Sequence, residues 1–252
     1  MITDKNGELS AKTGEIDRLT QEIKQAAVKD LIIVHGGGSF GHPAAERFAI
    51  KSGYKEESQK IGFSQTHHYM TVLNGLFMDA LIWHDVPSMS ITPSSCIVTE
   101  NGRISSFEDG PLRTLIGLNF TPVLYGDAVF DSKIGFTILS GDQLVSALAL
   151  RFNASQIIMG VDEDGVYETD PKIQKTAKLF NHLTLSELRN LQAKLEKTQV
   201  RDVTGGMYGK VTELIPAVEK NIPVTILNAL KPGNICKALN GEAVRGTRIQ
   251  KE

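Results

Sequence analysis

The stretch His35-Gly36-Gly37-Gly38-Ser39-Phe40-Gly41-His42-Pro43 carries the densest chemical signal in the chain. Three glycines follow an apolar run over residues 31–34 and precede a helix start, with Pro43 expected in the first helical turn. Glycines permit positive φ and let a ligand approach backbone N–H groups closely. Successive N–H groups at a helix N-terminus attract an anion. His42, at the same terminus, can donate to a phosphate oxygen. The stretch therefore reads as a phosphate site, weighed against a bare tight turn with a surface histidine. It is neither a Walker A loop nor a dinucleotide fingerprint, because no Gly-Lys-Ser/Thr follows and the glycine spacing differs.

Four further junctions pair small residues with charged ones. Asp202-Val203-Thr204-Gly205-Gly206-Met207-Tyr208-Gly209-Lys210 places two glycines before an amphipathic helix, with Lys210 in its first turn. A cation there opposes the helix dipole unless a polyphosphate is bound. Asp162-Glu163-Asp164-Gly165-Val166-Tyr167 is an acidic loop that could hold a metal or form a solvated turn. Gly126-Asp127 follows an apolar run, and Ser140-Gly141-Asp142 opens a helix that Ser140 or Asp142 could cap. Each is weak alone, and each falls where a strand ends or a helix begins.

Strand-length apolar runs at 31–34, 86–91, 121–125, 155–161 and 223–227 alternate with helical patterns at 15–28, 63–84, 108–118, 142–152, 185–195, 207–220 and 234–239. Alternation of this kind predicts an α/β fold, a three-layer sandwich around a mainly parallel open sheet. Ligands of such sheets sit beyond the carboxyl ends of the strands. Shorter alternating pieces around Ile97, Ile104, Val129 and Phe136 suggest hairpins at one edge, and residues 162–178 read as a loop. His67, His68 and His84 lie on a helix in no metal spacing. Phe63, Met70, Leu73, Phe77 and Leu81 read as core, part of which could line an apolar pocket. Residues 244–249 read as a closing edge strand.

With 252 residues, 41% hydrophobic and 22% charged, the chain suits one large domain or two lobes. Its net charge of −2 gives no basic footprint for nucleic acid and no polybasic membrane patch. No apolar run approaches a membrane span and no signal peptide opens the chain, so a cytoplasmic protein is expected. Cys96 and Cys236 are far apart and read as reduced thiols.

Taken in order, these segments resemble the amino-acid-kinase superfamily. The Asp-Gly-Val-Tyr loop with Asp170-Pro171, the Ser-Gly-Asp helix start and the Gly-Gly-Met-x-x-Lys helix start carry the general likeness. His35 to His42, Ser90-Ile91-Thr92-Pro93-Ser94-Ser95, Tyr125-Gly126-Asp127 and Arg245-Gly246-Thr247 are similar to the archaeal isopentenyl phosphate kinases. The resemblance covers the chain from Ile2 onward. It implies phosphoryl transfer from ATP, accompanied by Mg2+, to isopentenyl phosphate. Gly37, His42 and Gly126 would hold the acceptor. Gly38, Asp162, Gly206 and Lys210 would hold the nucleotide. Asp142 would orient catalytic lysines, and Lys5 would contact phosphate. It further implies one domain over 1–252, with an acceptor lobe at 1–140 and a nucleotide lobe at 141–252, in a homodimer. Family members carry a Lys-x-Gly-Gly-Ser strand ahead of Ile-Thr-x-Lys, whereas here Met1 directly precedes Ile2-Thr3-Asp4-Lys5. A mis-assigned start or a shortened chain is expected on that ground. The alternatives are another kinase of the superfamily, such as a fosfomycin-type enzyme, or an inactive nucleotide-binding remnant.

Overall fold

The computed structural model describes residues 1–4, 7–169, 171–198 and 205–252. The chain divides into two compact units, Met1–Leu144 and Val145–Glu252.

The first unit contains α1 (Thr13–Ala26), β1 (Ile33–His35), α2 (Gly38–Arg47), α3 (Ser58–Trp83), β2 (Ser88–Ser90), β3 (Ile97–Glu100), β4 (Arg103–Phe107), α4 (Gly110–Gly117), β5 (Thr121–Tyr125), β6 (Asp127–Asp131) and β7 (Gly135–Leu139). Its strands form two sheets. One is wholly parallel, in the order β1-β5-β2, with His35 paired to Tyr125 and Ser90 to Val123. Val123, Leu124 and Tyr125 are buried, as expected for a central parallel strand. The other sheet runs β4-β3-β6-β7, where two antiparallel hairpins join through a parallel β3/β6 contact. Asp131 fixes both hairpins. Its carboxylate accepts hydrogen bonds from the N–H groups of Asn101, Gly102, Lys133 and Ile134 and from the Thr99 hydroxyl. Gln143 ties the β3–β4 hairpin to the following helix, accepting from Ile104 N–H and donating to Gly102 O.

That helix, α5 (Gly141–Arg151), runs through the boundary between the units. The second unit adds β8 (Ile157–Val161), β9 (His182–Thr184), α6 (Leu185–Thr198), α7 (Gly205–Glu219), β10 (Val224–Asn228), α8 (Asn234–Leu239) and β11 (Gly246–Gln250). The sheet order is β8-β10-β11-β9, and only β10/β11 is antiparallel. Val211, Leu214, Val224, Ile226 and Ile249 form the fully buried centre of this unit.

The α/β class and the parallel-rich pairing match the expectation, while the hydrogen-bonded ladders of the described residues fall into three sheets. Three local expectations are corrected. The segment 244–249 is not an edge, because β11 lies between β10 and β9. The three-residue β9 is too short to show a period of two, so the sequence does not announce it. Both glycine-led helices also begin earlier than expected. Pro43 is the sixth residue of α2 and Lys210 the sixth of α7, so each stands in a second turn. Glycine is a poor helix former in a helix interior, which is why the pattern alone starts these helices too late.

Candidate active site

Four backbone ends meet in the first unit. Strand β1 ends at His35 and runs into Gly36 and Gly37, the latter capping α2. Strand β5 ends at Tyr125, and Gly126 N–H donates to His35 O at 3.1 Å. A Cβ on Gly126 would stand 3.1 Å from Gly141 N and 3.2 Å from Leu139 O. One on Gly141 would stand 3.5 Å from His35 O. The glycines thus let two parallel strand ends and the start of α5 lie backbone against backbone. Ser140 caps α5 by accepting Gln143 N–H at 3.1 Å, which decides between the two capping candidates. Asp142 occupies the first turn of α5.

The N-terminus of α2 is shaped by residues from the start of the chain. Gly38 has φ +46°, and a Cβ there would lie 1.9 Å from Thr3 Oγ1, so only glycine fits. Ser39 N–H donates to that hydroxyl at 3.3 Å, and Ser39 Oγ donates to Ser10 O at 3.3 Å. Pro43 has no N–H to offer Ser39 O in the helix. Leu9 N–H supplies that bond instead, at 3.2 Å. Residues 2–4 and 10–12 pair through a Thr3–Ala11 bridge and hydrogen bonds from Asp4 N to Ser10 O and from Lys12 N to Ile2 O. The first N–H groups of a helix have no intrahelical acceptor, so the Gly37–Gly38 end of α2 presents donors with a dipole behind them. His42 is exposed, one turn further along α2. Lys5 lies outside the described residues.

Helix α3 supports this loop from below. Met70 Sδ would meet a Cβ on Gly37 at 2.8 Å and one on Gly41 at 3.0 Å. His35 stacks on Tyr125 with ring centroids 5.5 Å apart and touches Phe77 at 5.6 Å. Burial pushes the His35 imidazole below its ordinary pKa, against weaker opposing hydrogen bonds at Gly36 and Asn74. Its ring nitrogens face Gly36 O and Asn74 Oδ1, each at 3.2 Å, and Asn74 Nδ2 donates to Ser90 Oγ at 2.7 Å. A neutral imidazole carries one proton and serves one of those acceptors at a time, unless the Asn74 amide turns over to offer its NH2. Further along α3, His67 Nδ1 lies 3.0 Å from Asp127 Oδ1. Sequence reasoning left His67 and Asn74 out of the site. Their only local signal is a polar residue on the face that carries Met70 and Phe77.

In the second unit the acidic loop after β8 is fully matched with cations. Lys172 Nζ lies 2.8 Å from Glu163 and 3.7 Å from Asp162. Asp164 takes Lys231 at 2.5 Å, Arg245 at 2.8 Å and the Asn228 amide at 3.3 Å. Burial raises the Asp164 pKa, but Lys231, Asn228 and Arg245 outweigh it and hold the carboxyl low. Gly206 and Lys210 stand in the first and second turns of α7. Asp170 and Asp202 fall outside the described residues. Among the described residues no three or more His, Cys, Asp or Glu gather as a metal site, and no helix is long and apolar enough to cross a membrane. So Gly37, Gly38, Gly126 and Asp142 come together in one unit, with His42 a turn away, while Asp162, Gly206 and Lys210 belong to the other.

Known proteins resemble this chain along most of its length. Residues 1–228 match the model of the amino acid kinase family. The isopentenyl phosphate kinase of Methanothermobacter thermautotrophicus is 40% identical over 99% of this chain and 95% of its own. That of Methanocaldococcus jannaschii is 34% identical over the same shares of the two chains, 99% and 95%. An X-ray structure of isopentenyl phosphate kinase superposes with a TM-score of 0.87 at 37% identity, covering 99% of this chain and 96% of that one.

Proposed function

This chain belongs to the amino acid kinase family, in its isopentenyl phosphate kinase branch, and from that premise we propose that it phosphorylates isopentenyl phosphate with ATP. A terminal phosphate oxygen of the acceptor attacks the γ-phosphorus of ATP. The bond from that phosphorus to the β–γ bridging oxygen breaks, and isopentenyl diphosphate and ADP leave. The observation that carries this reading is the backbone junction of Gly37, Gly38, Gly126 and Gly141 with His42 one helical turn on. The Gly37–Gly38 end of this junction offers preorganised N–H donors, and His42 an imidazole, to oxyanions, with no nucleophilic side chain required. It suits a reaction in which the protein aligns two charged groups and neutralises the repulsion between them.

In this reading Gly37, His42 and Gly126 hold the acceptor phosphate, with His42 donating to its oxygens. Gly38, Asp162, Gly206 and Lys210 serve the nucleotide. Asp142 orients lysines, and Lys5 contacts phosphate. Residues 1–140 form the acceptor lobe and 141–252 the nucleotide lobe. Magnesium travels with ATP and neutralises charge on its phosphates. An ion that keeps waters and substrate oxygens as ligands needs few protein carboxylates. A cytoplasmic homodimer completes the proposal.

A coupled ADP-release assay tests it, with isopentenyl phosphate, fosfomycin, UMP and N-acetylglutamate offered in turn. Turnover confined to isopentenyl phosphate is the expected result. Turnover of another acceptor in its place, or of none, refutes it.

A further inference from the structure

Asp127 is 1% exposed and directly follows Gly126. Its carboxylate accepts Ala128 N–H at 2.8 Å, Ser94 N–H at 3.3 Å and His67 Nδ1–H at 3.0 and 3.2 Å to its two oxygens. Ser94 Oγ stands 3.4 Å from the same His67 nitrogen. Three separate stretches of chain are joined at one buried carboxylate: α3, the 3₁₀ turn Pro93–Ser95 and the start of β6. Nearby, Tyr125 donates its hydroxyl to Thr92 Oγ1 at 3.4 Å, which reinforces the same seam.

A carboxylate this buried needs a partner, because an uncompensated charge away from water is costly. His67 is the basic group paired with it among the described residues. The hydrogen bond to Asp127 raises the His67 pKa, against an opposing effect of burial. The other titratable groups facing Asp127 are Cys96 and Tyr125. Burial first, and Asp127 second or later, pushes both upward, the thiol to about 11. Neither can supply a positive charge.

The placement of His67 on α3 gives the pair its meaning. Positions 67, 70 and 74 share one helical face. Met70 packs under Gly37 and Gly41, Asn74 meets His35, and His67 meets Asp127. One face of one helix therefore grips the Gly36–Gly38 loop and the Gly126–Asp127 strand end together.

We propose that His67 is a positioning residue for phosphoryl transfer. Through Asp127 it fixes Gly126 and the turn at Thr92–Ser94 relative to Gly37, and it cancels a buried negative charge beside the acceptor's own phosphate. This rests on Gly126 being an acceptor contact. Without His67, the Asp127 carboxylate repels an incoming phosphate and the strand end loses its anchor.

The test is steady-state kinetics of the full chain and of His67→Ala, His67→Gln and the double variant His67→Gln/Asp127→Asn. The His67→Ala change is expected to raise KM for isopentenyl phosphate about tenfold or more, the size of a lost hydrogen bond to a charged group. The kcat value and KM for ATP should stay within about twofold. His67→Gln should fall between, and the double variant should recover acceptor KM, because no buried charge remains. The wild-type acceptor kcat/KM should fall as pH rises through the His67 titration, and His67→Gln should lose that limb. An unchanged acceptor KM, an equal loss on both substrates, or no recovery in the double variant overturns the proposal. If the wild type turns over no isopentenyl phosphate, the functional reading fails separately. The pair is then judged by inorganic phosphate and the amide resonance of Gly126. A phosphate-induced shift weakened by His67→Ala supports it, and an identical shift refutes it.

Discussion

His42 is exposed on α2 while the glycines that precede it are pressed against other backbone, and the two kinds of residue fail differently when changed. In the proposed function, replacing the exposed His42 with alanine removes one donor to the acceptor phosphate and disturbs no packing. Acceptor kcat/KM should drop about 10²-fold, with the melting temperature unaltered, as kinetics and calorimetry on one preparation will show. Gly38→Ala acts on the fold instead. It forces a side chain into left-handed φ and into Thr3, so stability should fall by about 1–3 kcal/mol in chemical denaturation, with activity lost as well. Gly14 offers the contrast. It lies within α1 with open space around its missing Cβ, and Gly14→Ala should add about 0.5–1 kcal/mol. A loss there would mean that α1 packs more closely than the structure shows.

At the level of elements, Asp131 decides whether the two hairpins of the first unit hold together. Its carboxylate serves five donors from two stretches of chain, 99–102 and 133–134. Asp131→Ala strands several of them at once and should cost about 3 kcal/mol, read as a shift in urea midpoint without a change in the surface exposed. The elements themselves were largely legible in the sequence. Apolar runs such as 121–125 and 155–161 are followed by a glycine or an acidic residue, and those boundaries mark both the strand ends and the candidate site. What stayed hidden was long-range. Nothing near His67 announces a carboxylate sixty residues away, and on α3 its face reads as core because Met70 and Phe77 dominate it. The position of β11 inside its sheet was hidden for a related reason, since β9, the strand that covers it, is three residues long.

At the scale of the whole molecule, Asp131, His35 and His67 give opposing responses to pH. Burial favours the Asp131 carboxyl being protonated, but the N–H groups of Gly102, Ile134 and Lys133 and the Thr99 hydroxyl prevail and hold it well below the usual carboxylate range. The stability it gives is present above about pH 4 and lost as pH falls through its lower folded value. His35, pushed down by burial, also favours folding at higher pH, and its contribution is lost as pH falls below about 6.5. His67, raised by Asp127, works the other way. Its contribution is complete below about 6.5 and lost as pH rises through its folded value. A melting curve against pH should therefore rise through mildly acid pH, and His35→Gln should flatten that rise around pH 6. An unflattened rise would exclude His35 as its source.

One small accommodation in α2 has a consequence in time rather than in space. Pro43 leaves Ser39 O without its helical donor, and Leu9 N–H fills the gap. That amide exchanges with solvent only when Leu9 and Ser10 lift from α2, so its deuterium uptake is a clock for the opening of the glycine loop. The Ser39 amide, held by Thr3 Oγ1, runs on the same clock. An anion seated on the loop should slow both amides together, while amides deep in β10 keep their own rate.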